Sequence, residues 1–470
     1  MRRPRVVLYN PRAVFYTMPL ALVALASALD RDRFDVVIID GRLEPDPVAA
    51  VVNAADGALC VGVTVLTGAP IHDALAVSRA VKTKQPNCPV IWGGWHPSLF
   101  AQECLEEPAI DVVVSGQGED TLREIVERLI AGTPVDGCTG TTVRARTGEI
   151  VTSAPRPLRD LNQLPGHDYS LIPVGKYFAL KGARQIDYIS SQGCRFRCAF
   201  CADPSVFARG WTGLEPARIA DEVESLRRSY GMDDLAFQDE TFFTHRQRVD
   251  ALADAFLQRG LPITWTATLR ADQACRLGDD LLAKVVRSGL RRVMVGVESG
   301  SQDMLDRLKK DMTIEQVRQT AELCTRHGVG AIFNFIVGFP GESDQSMQAT
   351  LALAKTLRRS NPAFETPIFY YRPYPGNPMA DQSADLGYVF PRGLEEWADF
   401  DYVGGRGPWV TPERWRAVER FKFYSRHAWK PGAWRWPLRA SARWRCEHDW
   451  YHLPVEKLLV EWVHPPQPVS

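Results

Sequence analysis

The chain is 470 residues long, enough for two or three domains with ample core. Lys+Arg and Asp+Glu balance at 56 each, so no bulk field draws nucleic acid to it. Ten cysteines at this length exclude a disulfide scaffold, and no run of about 20 apolar residues offers a membrane span. The start, Met1 to Arg5 followed by the apolar run Met18 to Leu29, loosely imitates a signal peptide. Asn10, Pro11 and Arg12 interrupt it, so Val6–Tyr9 reads as a strand and Pro19–Leu29 as the helix after it.

Residues 1–145 alternate strands and helices. The predicted strands are Arg5–Tyr9, Asp35–Ile39, Ala58–Val63, Pro89–Trp92 and Asp111–Ser115. Helices are predicted at Pro19–Leu29, Pro45–Ala54, Ala69–Lys84, Leu99–Glu106 and Glu119–Ala131. Short apolar strands separated by amphipathic helices predict a parallel, doubly wound, Rossmann-like sheet. Such sheets bind ligands beyond the carboxyl ends of their strands. The third strand runs into Thr64, Val65, Leu66 and Thr67, the fourth into Gly93, Gly94, Trp95 and His96, and the fifth into Gly116, Gln117, Gly118 and Glu119. Small residues on one edge leave room for a large flat ligand, although each glycine pair alone is an ordinary turn.

These three loops resemble the cobalamin-binding domain that precedes the radical domain in one branch of the radical S-adenosylmethionine enzymes. The resemblance implies that Thr64, Val65, Leu66, Thr67, Gly93, Gly94, Trp95, His96, Gly116, Gly118 and Glu119 surround a corrin and its nucleotide tail. Many cobalamin proteins carry Asp-x-His-x-x-Gly after the first strand, and that His ligates cobalt from below. The equivalent loop Asn10–Thr17 has no His. Either the cobalamin is base-off with no protein His ligand, or the domain is a relic that binds nothing.

Residues 146–184 read as a linker punctuated by Pro155, Pro157, Pro165 and Pro173. Leu161, Leu164, Tyr169, Leu171 and Tyr177 are expected to staple the flanking domains together.

The stretch after it, Gln185–Ser191, reads as a strand leading into Cys194, Cys198 and Cys201, spaced C-x3-C-x2-C. Three thiolates on one loop leave one iron of a four-iron cluster open for chemistry. A zinc site would want a fourth ligand nearby, and the next cysteine is Cys275. Three unrelated core cysteines are the plainer alternative. The loop resembles the radical S-adenosylmethionine signature, which implies a 4Fe-4S cluster with S-adenosylmethionine on the open iron. Phe200 would shield the cluster edge.

Residues 185–378 repeat strand and helix six times. The further strands are Asp234–Gln238, Ile263–Thr268, Arg292–Gly296, Gly330–Val337 and Pro367–Tyr371, and the count fits the partial (β/α)6 barrel of that superfamily. Barrel sites lie at the carboxyl ends of strands. There the resemblance implies cofactor contacts from Gln238, Asp239 and Glu240 to the amino group. It gives Arg270 the methionyl carboxylate, Glu298 and Ser299 the ribose or polar tail, and Gly338, Phe339 and Pro340 the adenine side. Tyr370, Tyr371 and Arg372 are the candidate substrate pocket, with Phe242, Phe243, Trp397 and Trp409 as apolar surface at the mouth. A buried Glu paired with an Arg is usually structural.

Residues 379–470 hold nine of the 13 tryptophans, and Arg426 to Arg445 contains six Lys/Arg and no acid. A helical cap packed on the barrel is one reading. A peripheral contact with anionic lipid, or stacking on nucleic acid, are others.

The fold class expected is therefore α/β: a Rossmann-like domain, a partial barrel and a mostly α C-terminal cap. The resemblance implies reductive cleavage of S-adenosylmethionine to a 5′-deoxyadenosyl radical and methylation of an unactivated carbon of a small molecule or lipid. Oxidative ring formation, ring rearrangement, a radical enzyme without cobalamin and a cobalamin-responsive binding protein are the alternatives. It also implies an electron donor such as flavodoxin or ferredoxin, no nucleic-acid partner, a monomer, and a cytoplasmic location with possible peripheral membrane contact.

Overall fold

The computed structural model describes residues 3–13, 16–145, 147–374, 376–401, 405–429 and 436–463. Val14 and Phe15 of the Asn10–Thr17 loop lie outside the described residues, as do Pro375, Lys430, Trp434 and Arg435. The chain forms two compact units. One comprises Met1–Arg195, Ala202–Glu240 and Phe390–Asp401; the other comprises Phe196–Cys201, Thr241–Val389 and Tyr402–Ser470.

The first unit holds a seven-stranded sheet of β1 (Arg5–Asn10), β2 (Asp35–Asp40), β3 (Cys60–Thr64), β4 (Val90–Gly93), β5 (Val112–Val114), β6 (Thr141–Arg144) and β7 (Ile150–Thr152). Their order is β2-β1-β3-β4-β5-β6-β7. The first five are mutually parallel, with Val6 opposite both Val36 and Cys60. The runs Arg5–Asn10 and Cys60–Thr64 are buried almost throughout, as strands covered on both faces require. β6 and β7 add an antiparallel edge inside and beyond the expected end of the sheet. The stretch read as a linker also forms the helix Val174–Lys181. Its tyrosines are anchored: the Tyr169 hydroxyl donates to the Asp187 carbonyl at 2.6 Å, and Tyr177 to Asp40 at 2.7 Å.

The same unit contains β8 (Gln185–Tyr188) and β9 (Ser191–Gly193), then β10 (Trp211–Gly213) and β11 (Asp234–Phe237). β8 and β11 pair in parallel and β9 and β10 antiparallel. Residues from far along the chain complete the unit. In the helix Gly393–Ala398, Trp397 is 1% exposed and packs 4.6 Å from Phe100 and 5.8 Å from His96, ring centre to ring centre. Arg79 pairs with Glu395 at 2.6 Å.

The second unit is built on β12 (Thr264–Leu269), β13 (Leu290–Glu298) and β14 (Gly330–Val337) in parallel. β15 (Phe364–Glu365) and β16 (Ile368–Tyr370) both pair with β14; β16 is the predicted sixth strand, and β15 is a short strand added before it. Helix starts follow the sequence: Thr313 and Gln316 form a reciprocal cap, and the Asn377 side chain accepts from Met379 and Ala380. The tail forms helices Pro412–Ala428, Trp436–Glu447 and Val455–Val463. Arg445, 5% exposed, lies between Tyr424 and Trp450 and pairs with Glu456 at 2.8 Å. Part of the Trp/Arg composition is therefore packing. No described helix is long and apolar enough to cross a membrane.

Candidate functional site

Beyond the carboxyl ends of β1, β3, β4 and β5 lies a cavity of about 370 Å³. Thr64, Leu66, Gly93, Gly94, Trp95, Gly116, Gly118 and Glu119 line it, as does the loop with Asn10, Pro11 and Thr17. Gly62, Leu22, Leu25 and Leu122 make its apolar depth. Three glycines keep it open. A Cβ on Gly62 would sit 2.8 Å from Leu8, and one on Gly118 3.0 Å from Leu25. Gly94 has φ +102°, and its Cβ would stand 3.0 Å from Thr64 Oγ1 and from both the amide and carbonyl of Val65. That close approach lets Val65 donate to the Gly93 carbonyl at 2.8 Å and His96 to the Val65 carbonyl at 3.1 Å.

Three of the expected residues are not on the wall. Val65 and Thr67 are buried, and His96 is sealed beneath Phe100 and Trp397. Thr67 Oγ1 lies 3.3 Å from His96 Nδ1, and burial lowers the imidazole to about 3, so it stays neutral. The imidazole on the wall is His167, which the sequence reading did not single out; burial lowers it to about 4.

The end of β11 reaches the same cavity through Gln238 and Glu240. Gln238 donates to Asp187 at 2.9 Å. Glu240 opens into the cavity yet is walled by protein, which pushes its carboxyl up to about 8. Asp239 turns inward and accepts from the Ser190 amide at 2.7 Å and from the Ser190 and Ser191 hydroxyls at 2.6 Å each. It braces the approach to the cysteine loop, and its oxygens already have partners. Asp203, two residues past Cys201, went unnoticed in the sequence. It is 4% exposed, neither carboxylate oxygen has a hydrogen-bond partner, and burial raises it to about 6. Asp203 and Glu240 repel each other and together call for a cation.

Cys194, Cys198 and Cys201 are half-buried on the loop after β9, and none of them is in a disulfide. Among the described residues no three His, Cys, Asp or Glu side chains form a preformed metal site. The donor chemistry, three thiols within eight residues, suits an iron–sulfur cluster. Within the second unit the Ala199 amide donates to the Leu308 carbonyl at 2.8 Å. Phe200 meets Phe339 edge-on at 5.9 Å, and Phe339 packs 5.1 Å from Tyr371.

Several residues expected to touch S-adenosylmethionine have partners in the fold. Arg270 donates to Asp272, to the Lys310 carbonyl and to Cys198. Glu298, with φ +68°, pairs with Lys310 at 2.6 Å, both side chains under a tenth exposed. Ser299 lies 3.1 Å from Thr350 Oγ1. The Gly338 amide donates to Glu342, its carbonyl accepts from Trp409 at 2.7 Å, and the Pro340 carbonyl accepts from Arg307. Of the aromatic residues expected at the mouth, Phe242, Phe243, Tyr370, Tyr371 and Trp397 are all buried. Tyr370 donates to Glu419 at 3.0 Å, and Arg372 donates to the Arg406 carbonyl at 3.2 Å.

Known proteins share this layout. Residues 188–354 match the radical SAM superfamily, and residues 8–126 match the B12 binding domain. An uncharacterized methyltransferase of Pyrococcus horikoshii is 33% identical over 394 residues, covering 82% of each chain. An anaerobic magnesium-protoporphyrin IX monomethyl ester cyclase of Rubrivivax gelatinosus is 26% identical, covering 76% of this chain and 64% of the cyclase. Among solved structures the radical S-adenosylmethionine methyltransferase TsrM of Kitasatospora setae, with tryptophan and a SAM analog bound, superposes with a TM-score of 0.72. It does so at 18% identity, covering 91% of each chain, which speaks for the fold. The two matched domains imply a 4Fe-4S cluster, S-adenosylmethionine and cobalamin, and the glycine-lined cavity and cysteine loop fit them. The chain belongs to the radical SAM superfamily, among the enzymes that carry a B12 binding domain ahead of the radical domain.

Proposed function

We propose that the chain is a cobalamin-dependent radical S-adenosylmethionine methyltransferase acting on an unactivated carbon of a small, apolar or extended molecule. The observation that carries this is the shared cavity. Gln238 and Glu240, at the end of a radical-domain strand, line the same space as Thr64, Gly94 and Gly116 of the B12 domain. The cofactors, when bound, supply one-electron cleavage of S-adenosylmethionine and a transferable methyl group. The chain's own residues orient and exclude water. The three cysteines would hold the cluster. Glu240, carrying or releasing a proton near pH 8, would face the cofactor's ammonium. Leu22, Leu25 and Leu122 would take up the apolar tail of the corrin nucleotide.

That the 33%-identical relative is named a methyltransferase supports methyl transfer over ring formation. The test is isotopic. With methyl-labelled S-adenosylmethionine and substrate, a labelled product should appear with one S-adenosylhomocysteine and one 5′-deoxyadenosine per turnover. A product of unchanged carbon count without S-adenosylhomocysteine would replace methylation with cyclisation or rearrangement.

The finer reading has the cobalamin base-off, because Asn10–Thr17 offers no histidine. Nitrogen splitting in the electron paramagnetic resonance spectrum of the cob(II)alamin form would overturn it, because it reports an axial nitrogen, whether from the cofactor's own base or from an imidazole. A flavodoxin or ferredoxin donor, a monomer, and domain limits at 1–145, 146–184, 185–378 and 379–470 belong to the same reading. So does a peripheral lipid contact through the tail, supported by the exposed Leu458, Leu459 and Trp462.

A further inference from the structure

Cys198 has a charged neighbour with no place in the cavity. Arg270 follows β12 and is 6% exposed. Its Nη1 donates to Cys198 Sγ at 3.8 Å, its Nε to Asp272 Oδ1 at 2.9 Å, and its Nη2 to the Lys310 carbonyl. The Phe196 ring covers its face at 3.7 Å. A carboxylate is held by two parallel N–H groups on one edge of a guanidinium. The Nε/Nη2 edge is divided between Asp272 and Lys310, and Nη1 is turned to sulfur. We infer that Arg270 is a positioning residue for the cysteine loop. In this role it holds the Cys198 sulfur and sets the potential at which the cluster accepts its electron, and it does not clamp the methionyl carboxylate. This rests on the cysteine loop being the cluster site.

The surroundings are built to hold that guanidinium still. Lys310 sits between Lys309 and Asp311, with φ +50° and +51°, a conformation that side-chain-bearing residues rarely adopt and that turns its carbonyl toward Arg270. The Lys310 ammonium is fixed by Glu298 at 2.6 Å. Arg197 grips Asp311 with two bonds of 2.9 Å, tying the cysteine loop to the same turn. The chain of contacts therefore runs Glu298, Lys310, Arg270, Cys198. Reduction adds one negative charge to the cluster, and no proton or bond changes on Arg270. A hydrogen bond and a cation at a ligating sulfur favour the reduced form and raise the potential.

The test uses the full chain reconstituted anaerobically with iron and sulfide, with iron counted first. Potentials are then read by redox titration under electron paramagnetic resonance, and S-adenosylmethionine affinity by equilibrium dialysis. Arg270→Met should keep its iron and become harder to reduce by about tenfold in the one-electron equilibrium, equivalent to about 59 mV. Asp272→Asn, which strips the counter-charge and leaves the bond to Cys198, should shift the potential the opposite way. Arg270→Lys should fall between wild type and Arg270→Met. S-adenosylmethionine affinity should be unchanged in all three. Unshifted potentials with weakened S-adenosylmethionine binding would overturn the proposal and restore the carboxylate role. Should Arg270→Met hold no iron, the signs of the other two shifts decide. A wild-type chain that takes up no iron would instead refute the cluster reading, a separate failure.

Discussion

Gly94→Ala tests whether the strand-end glycines shape a cobalamin site or merely turn the chain. Gly94 has φ +102° and ψ −166°, a region essentially reserved for glycine, and an alanine held there costs roughly 1–3 kcal/mol. The added Cβ also meets Thr64 Oγ1 and the Val65 backbone at 3.0 Å, and backbone cannot swing aside as a side chain can. The relief available is to push the loop after β3 outward, and that loop carries Thr64 and Leu66 on the cavity wall. If the displacement falls on the cavity, the same 1–3 kcal/mol appears as about a 5–150-fold loss of cobalamin affinity. The control is Gly132→Ala, at φ +66° with nothing within 4 Å of its Cβ, which should lose stability but bind normally. Absorbance titration with cobalamin measures binding, and denaturant unfolding measures stability. A Gly94→Ala chain that binds cobalamin as wild type does, while losing no more stability than Gly132→Ala, would refute the reasoning.

Lys310→Met should destabilise the chain by about 3–5 kcal/mol, because it strands the Glu298 carboxylate in a site where both partners are under a tenth exposed. The double variant with Glu298→Gln should recover much of that in denaturant unfolding; equal loss in both would contradict the pairing. Burial raises Glu342 to about 7, so the folded chain holds this proton more tightly than the unfolded chain does. Stability from this group is therefore full below the ordinary glutamate range and falls as pH rises through about 7; Glu342→Gln should flatten that slope, and an unchanged profile would reject it. The helix Val455–Val463 presents Val455, Leu458, Leu459 and Trp462 at helical spacing, all more than half exposed. Vesicles of anionic lipid should co-sediment with the chain at low salt and release it at high salt; a Leu458→Glu, Trp462→Glu variant that sediments equally well would rule out this face.

Much of the fold was legible because its signals are local. The parallel strands of the first unit announced themselves as short apolar runs, and Gly93, Gly94, Gly116 and Gly118 marked where the chain must turn tightly beside open space. Backbone geometry is written in residue type: few residues besides glycine accept the Gly94 conformation. The added strand β7 was hidden because Ile150–Thr152 is only three residues long and largely exposed, too little for a period to show. The helix Gly393–Ala398 was hidden for another reason. Its partners Phe100 and His96 lie about three hundred residues away in sequence, and nothing at Trp397 says which element it will cover.

The functional side chains divide along the same line. A cysteine triad is legible because three scarce, reactive groups at fixed spacing have few other uses. Acids and arginines are not scarce, and their role depends on what else they meet. Asp239 and Glu240 are neighbours at one strand end, and the sequence treats them alike. The alternation of the chain sends Asp239 inward to three serine donors, while Glu240 faces the cavity with its carboxyl pushed up to about 8. Only the second stands on the cavity wall, where a ligand can meet it. Arg270 and Glu298 follow the same logic: each is of the residue type the cofactor wants, and each is already matched, to Asp272 and to Lys310. Asp203 is the converse, an unremarkable acid in sequence whose two oxygens find no partner in the fold. A buried charge left unmatched is expensive to keep, so it marks a place where a bound cation completes the structure. By that criterion a cation, such as the ammonium of the proposed cofactor, would find its partner at Asp203, whereas the guanidinium of Arg270 is already matched at the cysteine loop.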